Sequence, residues 1–525
     1  MGSRLQQDEV LRPRVTTDGS VNCHSRESIV AGVCTEGMSE QDKAIALFHF
    51  VRRMMFHYPQ RSERGSPRDD LDTLRLINTY GYSFCSQQAL VLADLWRAAG
   101  IGGMAWGVPG HCTAQAEYDG GLHWFDPLIG AYVLRRDGGT VASLADVAAD
   151  PTLLTAAVEE GRACPGFVPC RTVLRRDAEV FCRHDPKYVE ECRDLIDDVT
   201  FLAAVAGKAE RAFEPNPSVY DPDVSLRRGE SVRFLWDCLD GECNVRYLQE
   251  GEAPRKDIVP PNMLPPHHFC GIEAEERDTM NCRYWQPYAR AVRGVRTGRY
   301  QANGRHVYAP DLGRRPGPDG FEENRFRWAG RRDGGAALRP AGAGQLASLV
   351  WRMRTPHVYT SANVTVDFLR AEADDVNRVL VSCDGRKTWS KVYDAGAGAG
   401  AGRARAHARV GEPVLGMRDV WLKVECSTAR EPAGAGVDGL AVECVFQHNM
   451  FARPFLSAGT NRVFVTAGPQ AQADPPLTVR WEWMEADSAR SHTREISAFP
   501  ADYTIEVGGQ ALPRMLAWEM SVRTQ

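Results

Sequence analysis

From about residue 346 to the C-terminus, five separate runs alternate apolar and polar residues: Val364-Thr-Val-Asp-Phe-Leu, Val379-Leu-Val-Ser, Val420-Trp-Leu-Lys-Val, Arg462-Val-Phe-Val-Thr and Leu477-Thr-Val-Arg-Trp-Glu-Trp. A period of two belongs to strands with one buried face, because successive side chains of a strand point to opposite sides. Strands of this kind bury their apolar faces most simply against one another, so the pattern predicts an antiparallel β-sandwich over 346–525. The run Ala395-Gly-Ala-Gly-Ala-Gly-Ala-Gly402 between two of the strands is low in complexity and reads as a surface loop.

The N-terminal half is patterned differently. Residues 39–57 carry Ala46, Leu47, Phe50, Val51, Met54 and Met55 at helical spacing behind Ser39, a helix-capping residue. A second helix is predicted from Ser66-Pro67 to Gly81 and a third from Ser83 to Ala99, with Gly100 as its stop. On this reading three helices precede any strand. Three short segments follow, Met104 to Val108, His111 to Tyr118 and Leu122 to Phe125, separated by Pro109-Gly110 and Asp119-Gly120-Gly121. Asp-Gly is a strong hairpin signal. Helical patterning returns over 140–213, with Ser143 to Ala149 and Val199 to Ala212 as its clearest parts. The expected fold class is therefore α+β followed by a mostly β region. Its parts are an N-terminal extension (1–38), an α+β domain with a helical extension (39–213), an irregular Arg-, aromatic- and Pro-rich connecting region (214–345) and the β domain (346–525).

At 525 residues the chain has room for about three domains. Its 63 Lys plus Arg against 68 Asp plus Glu leave a net charge of −5, and 43% hydrophobic with 25% charged residues is ordinary for a folded protein. Wholesale disorder and a nucleic-acid-coating role do not fit those figures. No window holds about 18 consecutive apolar residues, so no transmembrane helix is expected. The 15 cysteines exceed what a reducing cytosol requires, which favours an extracytoplasmic site, although the opening Met-Gly-Ser-Arg lacks the apolar core of a signal peptide.

Candidate chemistry stands in three pieces: Gly81-Tyr-Ser-Phe-Cys85, Gly110-His111-Cys112 and Leu122-His-Trp-Phe-Asp126-Pro127. Cys85 falls in the first turn of the third helix, where the macrodipole and unpaired N–H groups favour a thiolate. His111 opens a strand and is placed to take the thiol proton, and Asp126 ends the next strand, where it orients the imidazole. These pieces, with Arg97-Ala-Ala-Gly-Ile before the sheet and fifteen residues from His111 to Asp126, resemble the transglutaminase-like superfamily over residues 40–135. The resemblance implies a papain-like Cys-His-Asp mechanism on an amide carbonyl through a Cys85 thioester, with no cofactor and no metal. The chain departs from many relatives in carrying Gln115 where they have Glu, the acidic residue here being Glu117.

Alternation assigns Cys112 to the strand face opposite His111, in a core or disulfide role, and His123 to a supporting or surface position. Cys164/Cys170, Cys182/Cys192 and Cys238/Cys243 are close enough for local disulfides, and with Cys85 free the other fourteen cysteines are even in number. His267-His268-Phe-Cys270 is a weak metal-like cluster. Ser382-Cys-Asp-Gly-Arg-Lys-Thr-Trp389 is similar to a structural Asp-box hairpin. From Arg277 to Arg332, Tyr284, Trp285, Tyr288, Tyr300, Tyr308 and Trp328 are interleaved with arginines, a composition that suits an acidic glycan as well as an interdomain layer. The expected activity is thus cysteine-type hydrolysis or acyl transfer on a peptide or amide. Two alternatives stand beside it: a lyase or hydrolase of acidic polysaccharide on the same scaffold, and a non-catalytic glycan- or protein-binding protein.

Overall fold

A computed structural model describes residues 9–57, 71–83, 85–109, 111–127, 131–159, 203–215, 219–237, 239, 301–313, 321–329, 335–395, 400–509 and 513–524. Its N-terminal region mixes helices with a small sheet. β1 (Glu9–Val10) and β2 (Arg14–Thr17) are followed by α1 (Arg26–Val33), α2 (Glu40–Met54), β3 (Phe56–His57), α3 (Thr73–Arg75), β4 (Tyr82–Ser83) and α4 (Cys85–Ala98). Next come β5 (Gly102–Val108), β6 (His111–Tyr118), β7 (Gly121–Phe125), α5 (Leu144–Ala149), α6 (Thr152–Glu159) and β8 (Glu210–Phe213). These last four strands form an antiparallel sheet in the order β7-β6-β5-β8.

Local chemistry accounts for the boundaries. The Ser39 hydroxyl accepts the Asp42 N–H at 3.1 Å and starts α2, which buries Leu47, Phe48, Phe50 and Val51. Gly100, at φ +81°, stops α4. Asp119 and Gly120 both take positive φ, as a two-residue hairpin turn between β6 and β7 requires. One face of the sheet, with Ala114, Ala116 and Phe125, packs against α2 and α4. The other, with Val108 and Trp124, builds a smaller core with Leu144, Val147 and Leu154. At about 25 cal/mol per Å² of apolar surface removed from water, burial on both faces dominates the stability of this unit.

Three differences from the sequence reading stand out. Strands β1 and β2 precede every helix, and α1 lies in the segment read as an extension, started by a reciprocal Ser25/Ser28 capping box. The described part of the second helix begins at Thr73 under an Asp72 cap and continues as a π-helical turn, Leu76–Tyr80; Ser66 lies outside the described residues. The end of the helix expected over 199–212 falls instead in the edge strand β8 (Glu210–Phe213), paired with Ala105–Gly107 of β5. Backbone groups of β5 left open by its outer edge are satisfied in this way, and that demand outweighs the local helical pattern.

The C-terminal region is β-rich, as the alternation predicts. Among the described residues, fourteen strands join in one antiparallel hydrogen-bonded network, and Gly459–Thr466 and Ala501–Val507 form a separate sheet with β2. The longest strand, Ala347–Arg370, changes neighbours along its length: Met417–Ser427 lies beside its first part and Gly402–Val410 beside its last, with a register shift between Arg354 and Tyr359. Long strands with period-two burial enclose a second large core that includes Trp351, Phe368, Leu422, Trp481 and Trp518. The region read as an irregular connection contributes to this sheet. After β9 (Leu226–Arg227), which pairs with β1, β10 (Glu230–Leu235) and β11 (Gln301–Tyr308) sit side by side inside the network. Strand β10 keeps the alternation, with Val232 and Phe234 buried, but a charged residue on each face, Glu230 and Arg233, dilutes its apolar signal.

Candidate active site

The turn that leads into Cys85 is held from the C-terminal region. The π-helical turn ends at Gly81, φ +68°, and a Cβ there would lie 2.9 Å from Asn449 Cγ, so glycine is required on both counts. Asn449 Nδ2 donates to Met54 O at 3.0 Å and to Ile77 O at 2.8 Å, and Gln447 Nε2 donates to Thr79 O at 3.3 Å. The strand Gly436–Asn449 thereby fixes where α4 begins. Cys85 is the first residue of that helix and is partly exposed, beside backbone N–H groups that no preceding turn can satisfy.

His111 opens β6 and Asp126 follows β7. The Asp126 side chain is fully buried and the His111 side chain is 10% exposed, and His111 Nε2 donates to Asp126 Oδ2 at 2.6 Å. That bond uses one ring nitrogen, and Cys85 lies near enough to the ring to shift its titration. Burial opposes a charge on His111, but the Asp126 carboxylate, its hydrogen bond and the Cys85 sulfur outweigh it and push the imidazole up to about 10. Cys85 moves the opposite way, down to about 4: hydrogen bonding from Cys112 leads, burial opposes, and His111 adds a hydrogen bond and its charge. The structure thus joins His111 to Asp126 by a short hydrogen bond and sets Cys85, at the start of α4, close to the same imidazole.

Cys112 stands on the strand face opposite His111, as alternation predicts, but it is partly exposed and carries no disulfide, and Cys85 close by pushes its thiol titration up. Ala114 and Ala116 pack with α4, so alternation puts Cys112, not His111, on the helix side of the sheet. Cys85 reaches both because it lies at the end of β6, where strand-face rules stop separating neighbours. The signal available was the run of alanines at 114 and 116, small residues on the face a helix covers.

His123 is buried rather than at the surface. Its Nδ1 is 2.7 Å from Val141 O and its ring stacks on Tyr118 at 3.7 Å, which makes it part of the sheet's packing. Gln115 is buried and accepts the Leu144 N–H at 3.0 Å, capping work rather than chemistry, and Glu117 is exposed. Cys23, Cys34, Cys426 and Cys444 are also unbridged, so Cys85 is not the single sulfur left over. Cys164, Cys170, Cys182, Cys192, Cys238, Cys243 and the His267-His268-Cys270 cluster lie outside the described residues, as do Tyr284, Trp285, Tyr288 and Tyr300. Tyr308 and Trp328 pack with the C-terminal core, Tyr308 beneath the Arg227 guanidinium at 3.9 Å. In the Asp-box segment, Asp384 accepts from the Ser382 and Thr388 hydroxyls at 2.8 and 2.6 Å, and Arg386 takes φ +73° at the position where glycine is usual. Among the described residues, no group of three His, Cys, Asp or Glu side chains is placed to hold a metal, and no helix is long and apolar enough to cross a membrane.

No family model matches the chain, and no curated protein matches it. Solved structures similar to it include allantoicase from Saccharomyces cerevisiae, at 9% identity over 40% of this chain and 88% of that one with a TM-score of 0.18. Others are the Endo-D glycoside hydrolase domain from Streptococcus pneumoniae R6 (10% identity, 43% of this chain and 38% of that one, TM-score 0.13) and the STIV MCP (6%, 38% and 94%, TM-score 0.13). TM-scores this low carry no argument about fold or activity.

Proposed function

We propose that this protein is a cysteine-type acyl-transfer enzyme of transglutaminase-like, papain-type chemistry, with Cys85 as nucleophile, His111 as acid and base, and Asp126 as the group that orients His111. One observation carries the reading: the His111 ring is tied to buried Asp126 through Nε2 at 2.6 Å, close to a cysteine at a helix start. In the first step the Cys85 thiolate forms a C–S bond to an amide carbonyl and the carbonyl π electrons move onto oxygen. Free N–H groups in the first turn of α4 are placed to stabilise that oxyanion. As the C–N bond breaks, the imidazolium of His111 gives its proton to the departing amine, leaving a Cys85 thioester and a neutral imidazole. His111 then takes a proton from water or an incoming amine, whose lone pair attacks the thioester, and the thiolate leaves with the bond's electrons.

An activated ester such as p-nitrophenyl acetate tests this without knowledge of the natural substrate. The expected result is a burst of one p-nitrophenolate per chain with acetate found on Cys85 by peptide mass mapping. Cys85→Ala removes the burst and lowers turnover by about 10⁴. An undiminished burst in Cys85→Ala, or acetate on other residues alone, would sink the mechanism.

A further inference from the structure

A cavity lies where the N-terminal segment crosses the C-terminal sheet, and Cys85 is not among its lining residues. Its lining includes Arg14, His24, Phe234, His357 and Arg453 and contains no Asp or Glu. The volume open to water centres is about 40 Å³, room for about three waters or one small polyatomic group. Arg453 is 7% exposed. Its Nη2 donates to the Asn78 side chain and backbone carbonyl, and its guanidinium lies 5.3 Å from the Phe234 ring centroid. Those contacts account for one nitrogen and one face. Nε is buried with no hydrogen-bond partner, and among the described residues no carboxylate forms an ion pair with the group.

A buried cation without a counter-charge is costly and is rarely retained for packing alone. Neighbouring acids do not supply the missing charge, since burial pushes both Cys23 and Tyr220 up to about 12 and keeps them protonated. Arg14 is already spent on Asp223, through Nε and Nη2 at 2.6 Å each. His24 Nδ1 donates to Asn22 Oδ1 at 2.7 Å, and burial, reinforced by the charge of Arg453, holds His24 and His357 neutral. Arg453 is therefore the one unbalanced charge of the lining. Guanidinium forks bind planar and tetrahedral oxyanions through paired N–H donors.

We infer that this cavity is a binding site for a small oxyanion, a carboxylate or a phosphate group, anchored on Arg453. The test is calorimetry and thermal unfolding of the full chain with sodium acetate, sodium phosphate or sodium chloride at equal ionic strength. Saturable binding with a raised Tm is expected for at least one oxyanion and not for chloride. A response to acetate alone identifies a carboxylate ligand, to phosphate alone a phosphate, and to both a site that reads the shared oxyanion edge. Arg453→Lys keeps the charge without the fork and is expected to bind at least about tenfold more weakly. Arg453→Met removes the unpaired charge and abolishes binding while folding at least as well as the parent. The proposal is overturned if neither oxyanion saturates beyond chloride, or if the response survives unchanged in either variant. Should Arg453→Met not fold, Arg453→Lys and the parent titrations still decide the matter.

Discussion

Among the described residues, two largely buried carboxylate–imidazole pairs lie at nearly the same distance, and their surroundings differ. In the N-terminal region His111 and Asp126 are 2.6 Å apart; in the C-terminal sheet His306 and Glu230 are 2.7 Å apart. Around His306 every position is filled. Nε2 donates to Glu230, Nδ1 lies 2.7 Å from the Tyr359 hydroxyl, and Arg227 grips both oxygens of Glu230 at 2.7 and 2.8 Å. Burial works against a charged Glu230, but the guanidinium overcomes it and keeps the carboxylate ionised. His111 is held through Nε2, has the Cys85 thiol of a helix start nearby, and retains some exposure. A carboxylate–imidazole pair is thus structural when both ring nitrogens end on locked partners, and suited to proton transfer when one nitrogen ends on a nucleophile.

That contrast can be broken most severely at Asp126. Asp126→Asn keeps the shape but removes the charge that raises His111, and acyl turnover is expected to fall by about 10²–10⁴ with little change in unfolding midpoint. A comparable fall in stability instead would put Asp126 in the same class as Glu230. The converse substitution, Glu230→Gln, leaves the Arg227 charge buried and unpaired and is expected to cost about 3–5 kcal/mol in urea unfolding. Cys85 alkylation in the folded fraction should not change; a changed rate would mean that the two clusters are coupled. Cys112→Ala is the mildest of the set. It removes the hydrogen bond that contributes most to the low Cys85 value, so iodoacetamide reaction at pH 5 should slow by less than about tenfold. A larger loss would make Cys112 essential to the thiolate rather than supportive.

Much of the N-terminal arrangement was legible because its determinants are local. Ser39, Gly81, Gly100 and Asp119-Gly120 act within a few residues of themselves, and the Cys85, His111 and Asp126 spacing follows from one helix and one hairpin. What was not legible depends on distant parts of the chain. Strands β1 and β2 exist because residues 226–227 and 463–466 offer them edges to pair with. Likewise β8 forms on an open strand of the small sheet, against its own helical pattern. Asn449, which braces the turn before Cys85 from more than 360 residues away, has no signature in sequence at all. Cys112 keeps the face that alternation gives it, but which face α4 covers is set by packing rather than by the period of the strand. The Arg453 cavity was invisible for the same reason as Asn449, since its walls come from the chain's start, its middle and its end.

The pH dependence of Cys85 alkylation by iodoacetamide, followed by peptide mass mapping on the folded chain, tests the central claim most directly. With Cys85 lowered to about 4 and His111 raised to about 10, a thiolate is expected above the first value and an imidazolium below the second. Reaction at Cys85 should therefore rise through about pH 4 and hold a plateau across neutrality, while acyl turnover declines again as His111 loses its proton near pH 10. A single rise centred near 9, the value of an unassisted thiol, would contradict the thiolate–imidazolium pair and the enzyme reading built on it.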